Sequence, residues 1–346
     1  MTATQPSTTP TAATRPVPTR MRAVVQDRYG DADALRFDDV PTPVPGPGEV
    51  LLEVHAAGVN RGTWHLMTGL PYLMRVMGFG LRRPAQRVPG TDVAGRVVAL
   101  GEGVATLNVG DEVLGIAIGA FAPYAVARAD KLVRRPAGVP IDQAAVVAIS
   151  GMTAHAAVHT QGRVQAGQRV LVLGASGGVG SYVVQLAHAA GAHVTGVASA
   201  AKADHVRSLG AERVIDYASS DPTTGPERYD VVIDMGGRHP LRHLRRVLTP
   251  AGTLVIVGGE GGGRVTGGFG RQLRAAALDR FVSQRLVMLM AAEHRDAIAP
   301  LVEAIEAGHV TPAVGATYPL EAVADALTDL AAGRVRGNAV ITVRAA

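Results

Sequence analysis

The chain has 346 residues, 47% apolar and 18% charged, with a net charge of +5; this predicts a soluble globular enzyme of two domains. It contains no cysteine, which excludes disulfides, thiol catalysis and every cysteine-held zinc site. No apolar run approaches the roughly 18 residues of a membrane-spanning helix, and scattered arginines with only 4% aromatic residues speak against a nucleic-acid surface.

Residues 1–20, MTATQPSTTPTAATRPVPTR, carry no acid and no apolar core. They read as a flexible tail, not a secretory signal, and a cytoplasmic location is expected with no membrane partner. From 21 to 148, short runs such as MRAVVQ, EVLLEVHAAGV, DVAGRVVALG and DEVLGIA alternate with turns such as PTPVPGPG. Period-two alternation in VLLEVHA predicts half-buried antiparallel strands in a β-rich, barrel-like domain.

From 149 to 291 the texture changes to alternating strand and helix. Strands are expected at Arg169–Leu173, His193–Ala198, Arg213–Ile215, Val231–Asp234, Leu254–Val257 and Leu286–Leu289. Helices at Val179–Ala190, Ala201–Leu209 and Pro240–Leu248 fall between them. This alternation predicts right-handed crossovers and a parallel sheet covered on both faces, an α/β architecture. Residues 292–346 supply two more helices and a last strand, Ala339–Val343, expected to return to the first domain. His155 and His159 stand four apart in GMTAHAAVHT, but with no Glu or third His nearby they read as a packed pair, and no metal site is expected.

The break in VLVLGASGGVGSYVVQLAHAAG is a strand-to-helix turn, Ala175-x-Gly177-x-x-Gly180, one residue short of G-x-G-x-x-G. Ser176, Gly177, Gly178, Val179 and Gly180 are expected to meet a dinucleotide, with backbone N–H groups at the helix start facing the pyrophosphate. The next strand ends in Ser199, with Lys202 three residues on and no acid between. A hydroxyl and a cation suit a 2′-phosphate, whereas an NAD site usually places an acid there. NADPH is therefore the expected cofactor.

GVNRGTW (58–64), VPGTDVAGRVVALGEGV (88–104), VGDEVLG (109–115), SGMTAHAAV (150–158), the glycine turn and GVASAAKADHVRSLGAERVIDY (196–217) occur in this order. Together they resemble the medium-chain dehydrogenase/reductase superfamily in its zinc-free, quinone oxidoreductase-like branch. The resemblance implies a GroES-like domain split around a Rossmann domain, with the active site between them. It also implies an NADPH-dependent reductase of quinones or α,β-unsaturated carbonyl compounds, and a homodimer. Zinc-dependent members carry a catalytic Cys where this chain has Asn60 and a His-Glu pair where it has Thr91-Asp92. By the same resemblance Asn60 lies near the nicotinamide, Thr153 enters the Rossmann domain, and Ser199, Lys202 and Tyr217 form the 2′-phosphate pocket. Gly258 and Gly259 line the nicotinamide ribose, and Asn338 lies near the stretch closing over the cofactor. Thr91-Asp92 is expected to hold a turn rather than do chemistry.

Two stretches depart from the family pattern. TWHLMTGLPYLMRVMGFGLRRP (63–84) follows Asn60 and reads either as core packing or as the wall of an apolar substrate pocket. With Asn60, its Trp64, His65 and Tyr72 are the candidate substrate contacts; His65 and Tyr72 are the candidate proton donors, with solvent as the alternative. GGEGGGRVTGGFGR (258–271) reads as a mobile lid. A competing reading keeps the fold but replaces the redox step by lyase or cyclase chemistry, or by NADPH binding without turnover.

Overall fold

The computed structural model describes residues 16–259, 263–289 and 293–344. Residues 1–15 of the expected tail, 260–262 of the expected lid and the domain junction at 291–292 lie outside the described residues. The tail is shorter than expected at its far end, since Arg20 already pairs in the first strand.

β1 (Arg20–Gln26) and β2 (Leu35–Pro41) pair antiparallel, and Met21, Ala23, Val25 and Val40 pack on Leu51 and Tyr124 of the sheet behind them. That sheet contains β3 (Glu49–Val59), β4 (Asp92–Leu100), β5 (Glu112–Ile116), β6 (Tyr124–Arg128) and β7 (Leu132–Arg134). The expected half-burial fails on β3, which is buried from Val50 to Val59 except at Glu53. Its Val50, Leu52 and Val54 face one core and Leu51 faces another, so both faces of this central strand are covered. α1 (Arg61–Thr68) follows β3 at once, and α2 (Tyr72–Met74) runs into a π-helical turn at Arg75–Phe79. α3 (Ile141–Ala144) and α4 (Ala148–His155) lead to the second sheet.

There β8 (Arg169–Leu173), α5 (Gly178–Ala189), β9 (His193–Ala198), α6 (Ala203–Ser208) and β10 (Arg213–Asp216) alternate as the periodicity predicts. β11 (Tyr229–Asp234), α7 (Leu241–Arg246), β12 (Leu248–Ile256), α8 (Phe269–Asp279) and β13 (Arg285–Met288) continue the pattern. The six strands form one parallel sheet in the order β10-β9-β8-β11-β12-β13. The order in which strands are added reverses between β8 and β11, which opens a crevice beyond their carboxyl ends. Val170 and Val172 pack on one face of β8, Leu171 and Leu173 on the other, which explains the unbroken apolar run.

α9 (Arg295–Glu306), β14 (Val314–Pro319), α10 (Val323–Ala331) and β15 (Asn338–Thr342) complete the chain. β15 pairs antiparallel with β3 and parallel with β14, so both strands join the first sheet. α9 packs on α4, where a Cβ at Gly151 would stand 1.8 Å from Leu301 Cδ2. The architecture is a GroES-like domain joined to a Rossmann-like parallel sheet.

Candidate active site

The glycine turn closes where β8 gives way to α5. Gly177 is the N-cap of α5, and Ser181 N, donating to Gly177 O at 2.8 Å, makes the first helical bond. The amides of Gly178, Val179 and Gly180 have no backbone acceptor among the described residues, as the start of a helix dictates. A Cβ at Gly180 would stand 2.1 Å from Gly174 O, and one at Gly178 would stand 2.5 Å from Asn338 Oδ1. At Gly177 it would meet only Gly174 O at 3.6 Å, so this side of the turn is open. An open glycine face beside three orphan amides at a 12-residue helix start fits a dinucleotide pyrophosphate.

The turn is also stitched to the loop before β15. Gly337 N donates to Ser176 O at 2.8 Å, and Ser150 Oγ donates to Asn338 Oδ1 at 2.9 Å. Asn338 is buried, and its amide nitrogen donates to Ala313 O at 3.2 Å. Its side chain thus links β15 to α4 and to Ala313, and lies against Gly178 of the turn.

At the end of β9, Ser199, Lys202 and Tyr217 are brought together: Lys202 N donates to Ser199 O, and Tyr217 N to Ala198 O. Lys202 Nζ donates to Gly333 O at 2.7 Å and Val335 O at 2.5 Å, so it also clamps the loop after α10. Burial lowers the Lys202 pKa, and nearby Arg336 lowers it further. His205 is lowered by burial, Arg336 and Lys202, and its buried Nε2 has no partner among the described residues. Lys202 and Arg336, which follows Val335 in the chain, thus bring cationic side chains to adjoining segments, an arrangement that suits an anion. Arg336 was not among the expected residues; it lies more than a hundred positions from Lys202 in the chain, and only the seating of β15 brings it here.

On the first domain's side, Asn60 is the N-cap of α1, its Oδ1 accepting from Thr63 N at 2.9 Å. Its Nδ2 donates to Asp92 Oδ2 at 2.8 Å and reaches Thr91 Oγ1 at 3.4 Å. Asp92 Oδ1 accepts from Ile149 N at 2.9 Å, and Thr153 Oγ1 donates to Ile149 O at 2.7 Å. Burial pushes the Asp92 carboxyl up to about 7 against the opposing pull of the Ile149 and Asn60 donors. Both polar ends of Asn60 are therefore engaged by the protein.

Trp64 is half-buried against the core of the first domain, its ring edge-on to His65 with centroids 5.1 Å apart. His65 Nδ1 donates to Leu70 O at 2.7 Å. Tyr72 is 40% exposed, and its main chain crosses to the glycine-rich segment: Tyr72 N donates to Arg264 O at 2.8 Å and Leu73 N to Val265 O at 2.9 Å. The described part of the expected lid is thus hydrogen bonded to the expected pocket wall. A Cβ at Gly258 would stand 2.1 Å from Met235 O, and one at Gly259 would stand 2.5 Å from Gly268 Cα, so both mark close backbone packing at the end of β12.

Beneath them Asp234, fully buried at the end of β11, accepts from Gly237 N at 2.9 Å and pairs with the Arg271 guanidinium. Arg271 Nε and Nη1 are buried without a partner among the described residues. Sequence reasoning missed this pair; the acid ending a buried strand was the available signal. His155 and His159 have ring centroids 4.7 Å apart, and burial lowers both pKa values. Among the described residues no three His, Asp or Glu side chains converge as a metal site.

Residues 46–137 match the model of the alcohol dehydrogenase GroES-like domain, and 209–341 that of a zinc-binding dehydrogenase. A chloroplastic quinone oxidoreductase of Triphysaria versicolor is 31% identical over 93% of this chain and 98% of its own. Among solved structures, the quinone oxidoreductase of Coxiella burnetii superposes with a TM-score of 0.82 at 26% identity, over 94% of this chain and all of that one. A mycobacterial protein solved in complex with NADPH gives a TM-score of 0.79 at 28% identity, over 93% of this chain and all of its own.

Proposed function

Because the chain belongs to the medium-chain dehydrogenase/reductase superfamily, in its quinone oxidoreductase-like branch, we propose that this oxidoreductase uses NADPH, without zinc, to reduce a quinone or an α,β-unsaturated carbonyl compound. The observation that carries the cofactor reading is Lys202 beside Ser199, its Nζ held by the carbonyls of Gly333 and of Val335 next to Arg336, one strand away from the orphan amides of α5. In this reading Gly178, Val179 and Gly180 hold the pyrophosphate, while Ser199, Lys202, Tyr217 and Arg336 hold the 2′-phosphate.

The bound cofactor supplies hydride. Asn60 and Thr153 shape the nicotinamide end from opposite sides of Asp92, and the bridge between Tyr72 and Arg264 helps exclude water. With Nδ1 donating to Leu70 O, His65 would present its other ring nitrogen to the acceptor, and the Tyr72 hydroxyl is the second candidate donor. Trp64 and Tyr72 would flank an apolar acceptor. Zinc independence rests on the missing cysteines and on Asn60, Thr91 and Asp92 standing where zinc-dependent relatives place ligands and their neighbours. A homodimer in the cytoplasm is part of the same proposal.

The test is NADPH oxidation followed by absorbance across a panel of quinones and enones, before and after dialysis against a strong chelator. Turnover unchanged by the chelator is expected. NADPH binding without consumption of any acceptor would overturn the reductase reading, and activity restored only by zinc would overturn the metal-free one.

A further inference from the structure

Residues 72–81 present an apolar face that the proposed chemistry leaves unused beyond Tyr72. Val76 is 66% exposed, Met77 54%, Phe79 41% and Leu81 67%, and Val265, 64% exposed, adjoins them through its bond to Leu73. This face is held in shape from within. The Tyr29 hydroxyl lies 2.8 and 2.6 Å from the carbonyls of Phe79 and Gly80, and the Arg75 guanidinium lies 4.2 Å over the Tyr29 ring. With the turn's polar groups facing inward, its apolar side chains point to solvent. Several exposed apolar side chains gathered in one short segment mark an interaction site.

Charge identifies the partner. Residues 54–91 contain five arginines and no acid, and residues 263–278 contain three arginines and no acid. Arg82, Arg83 and Arg264 are exposed and have no ion-pair partner among the described residues. We propose that this face docks on an anionic lipid surface, with Val76, Met77, Phe79 and Leu81 entering the headgroup boundary and the arginines meeting lipid phosphates. A second copy of the chain fits poorly, since a two-fold contact would set these cations against themselves. No helix among the described residues is long and apolar enough to cross a membrane, so the contact is peripheral. If the acceptor is apolar, as the proposed function holds, docking sets the Tyr72–Arg264 bridge at the lipid from which such an acceptor partitions; the docking itself does not depend on that reading.

The experiment is sedimentation of the full chain with vesicles of pure phosphatidylcholine, and with vesicles of equal parts phosphatidylcholine and phosphatidylglycerol. Binding to the anionic vesicles should be about tenfold stronger and fall as salt is raised. Met77→Glu with Leu81→Glu should abolish it while melting temperature and NADPH affinity stay at wild-type values. Arg82→Gln with Arg83→Gln should erase the preference for anionic lipid. Equal binding to both vesicles, no binding, or binding unchanged in the double-glutamate variant would overturn the proposal. So would a wild-type dimer that this variant dissociates. NADPH turnover measured without vesicles tests the reductase reading separately.

Discussion

Asn60 Nδ2 donates to Asp92 Oδ2 across 2.8 Å, and through the other oxygen of that carboxyl the cap of α1 is tied to the first turn of α4. The carboxyl is buried and titrates near 7, well above its ordinary 3.8. A folded value above the unfolded one means that the folded protein holds the proton more tightly. Stability should therefore fall as pH rises from about 4 to about 7, with a limiting slope of about 1.4 kcal/mol per pH unit. Asp92→Asn should flatten this slope in denaturant unfolding across that range. An equal slope in both proteins would assign the pH dependence elsewhere.

Lys202→Glu should weaken NADPH binding by about 1–3 kcal/mol, a several-fold to hundredfold loss, and NADH binding much less. Because Lys202 also donates to Gly333 O and Val335 O, a modest drop in melting temperature should accompany it. Equal losses for both cofactors in titration would sink the 2′-phosphate assignment.

Gly151→Val should destabilise by several kcal/mol, since a Cβ there would stand 1.8 Å from Leu301 Cδ2. Leu301→Ala should recover much of the loss by opening the space. If the double variant is no more stable than Gly151→Val alone, the clash is not the cause.

Arg271→Met leaves Asp234 buried and without its cation, which should cost about 3–5 kcal/mol in urea unfolding. Adding Asp234→Asn should return part of that. A loss under about 1 kcal/mol for Arg271→Met would show that solvent reaches the site.

Trp64 leans on the core of the first domain, so Trp64→Ala should lower the melting temperature by a few degrees. If the indole also flanks the acceptor, KM for a bulky quinone rises about tenfold with NADPH affinity near normal. A stability loss with unchanged KM would confine Trp64 to packing.

The glycine turn, the alternating strands and helices around it, and the close of the second strand at Ser199 were determined by the sequence alone. Each depends on neighbours a few residues apart, where apolar period and glycine placement act directly. Contacts across long chain separations were decided by the tertiary structure. Burial of both faces of β3 follows from the packing of β1 against it, which no period-two count contains. Arg336 reaches Lys202, and Asn338 reaches Ser150 and the turn, only because β15 threads back beside β3. The pairing of Asp234 with Arg271 requires α8 to pack back against the sheet beside β11. Segment 63–84 shows the division most plainly: its apolar composition left core and surface undecided. Trp64 and Met67 turn inward with α1, while the π-helical turn puts Val76, Met77 and Phe79 into solvent. Composition states how much apolar surface a segment carries; which of it meets water is decided by what the rest of the chain packs against it.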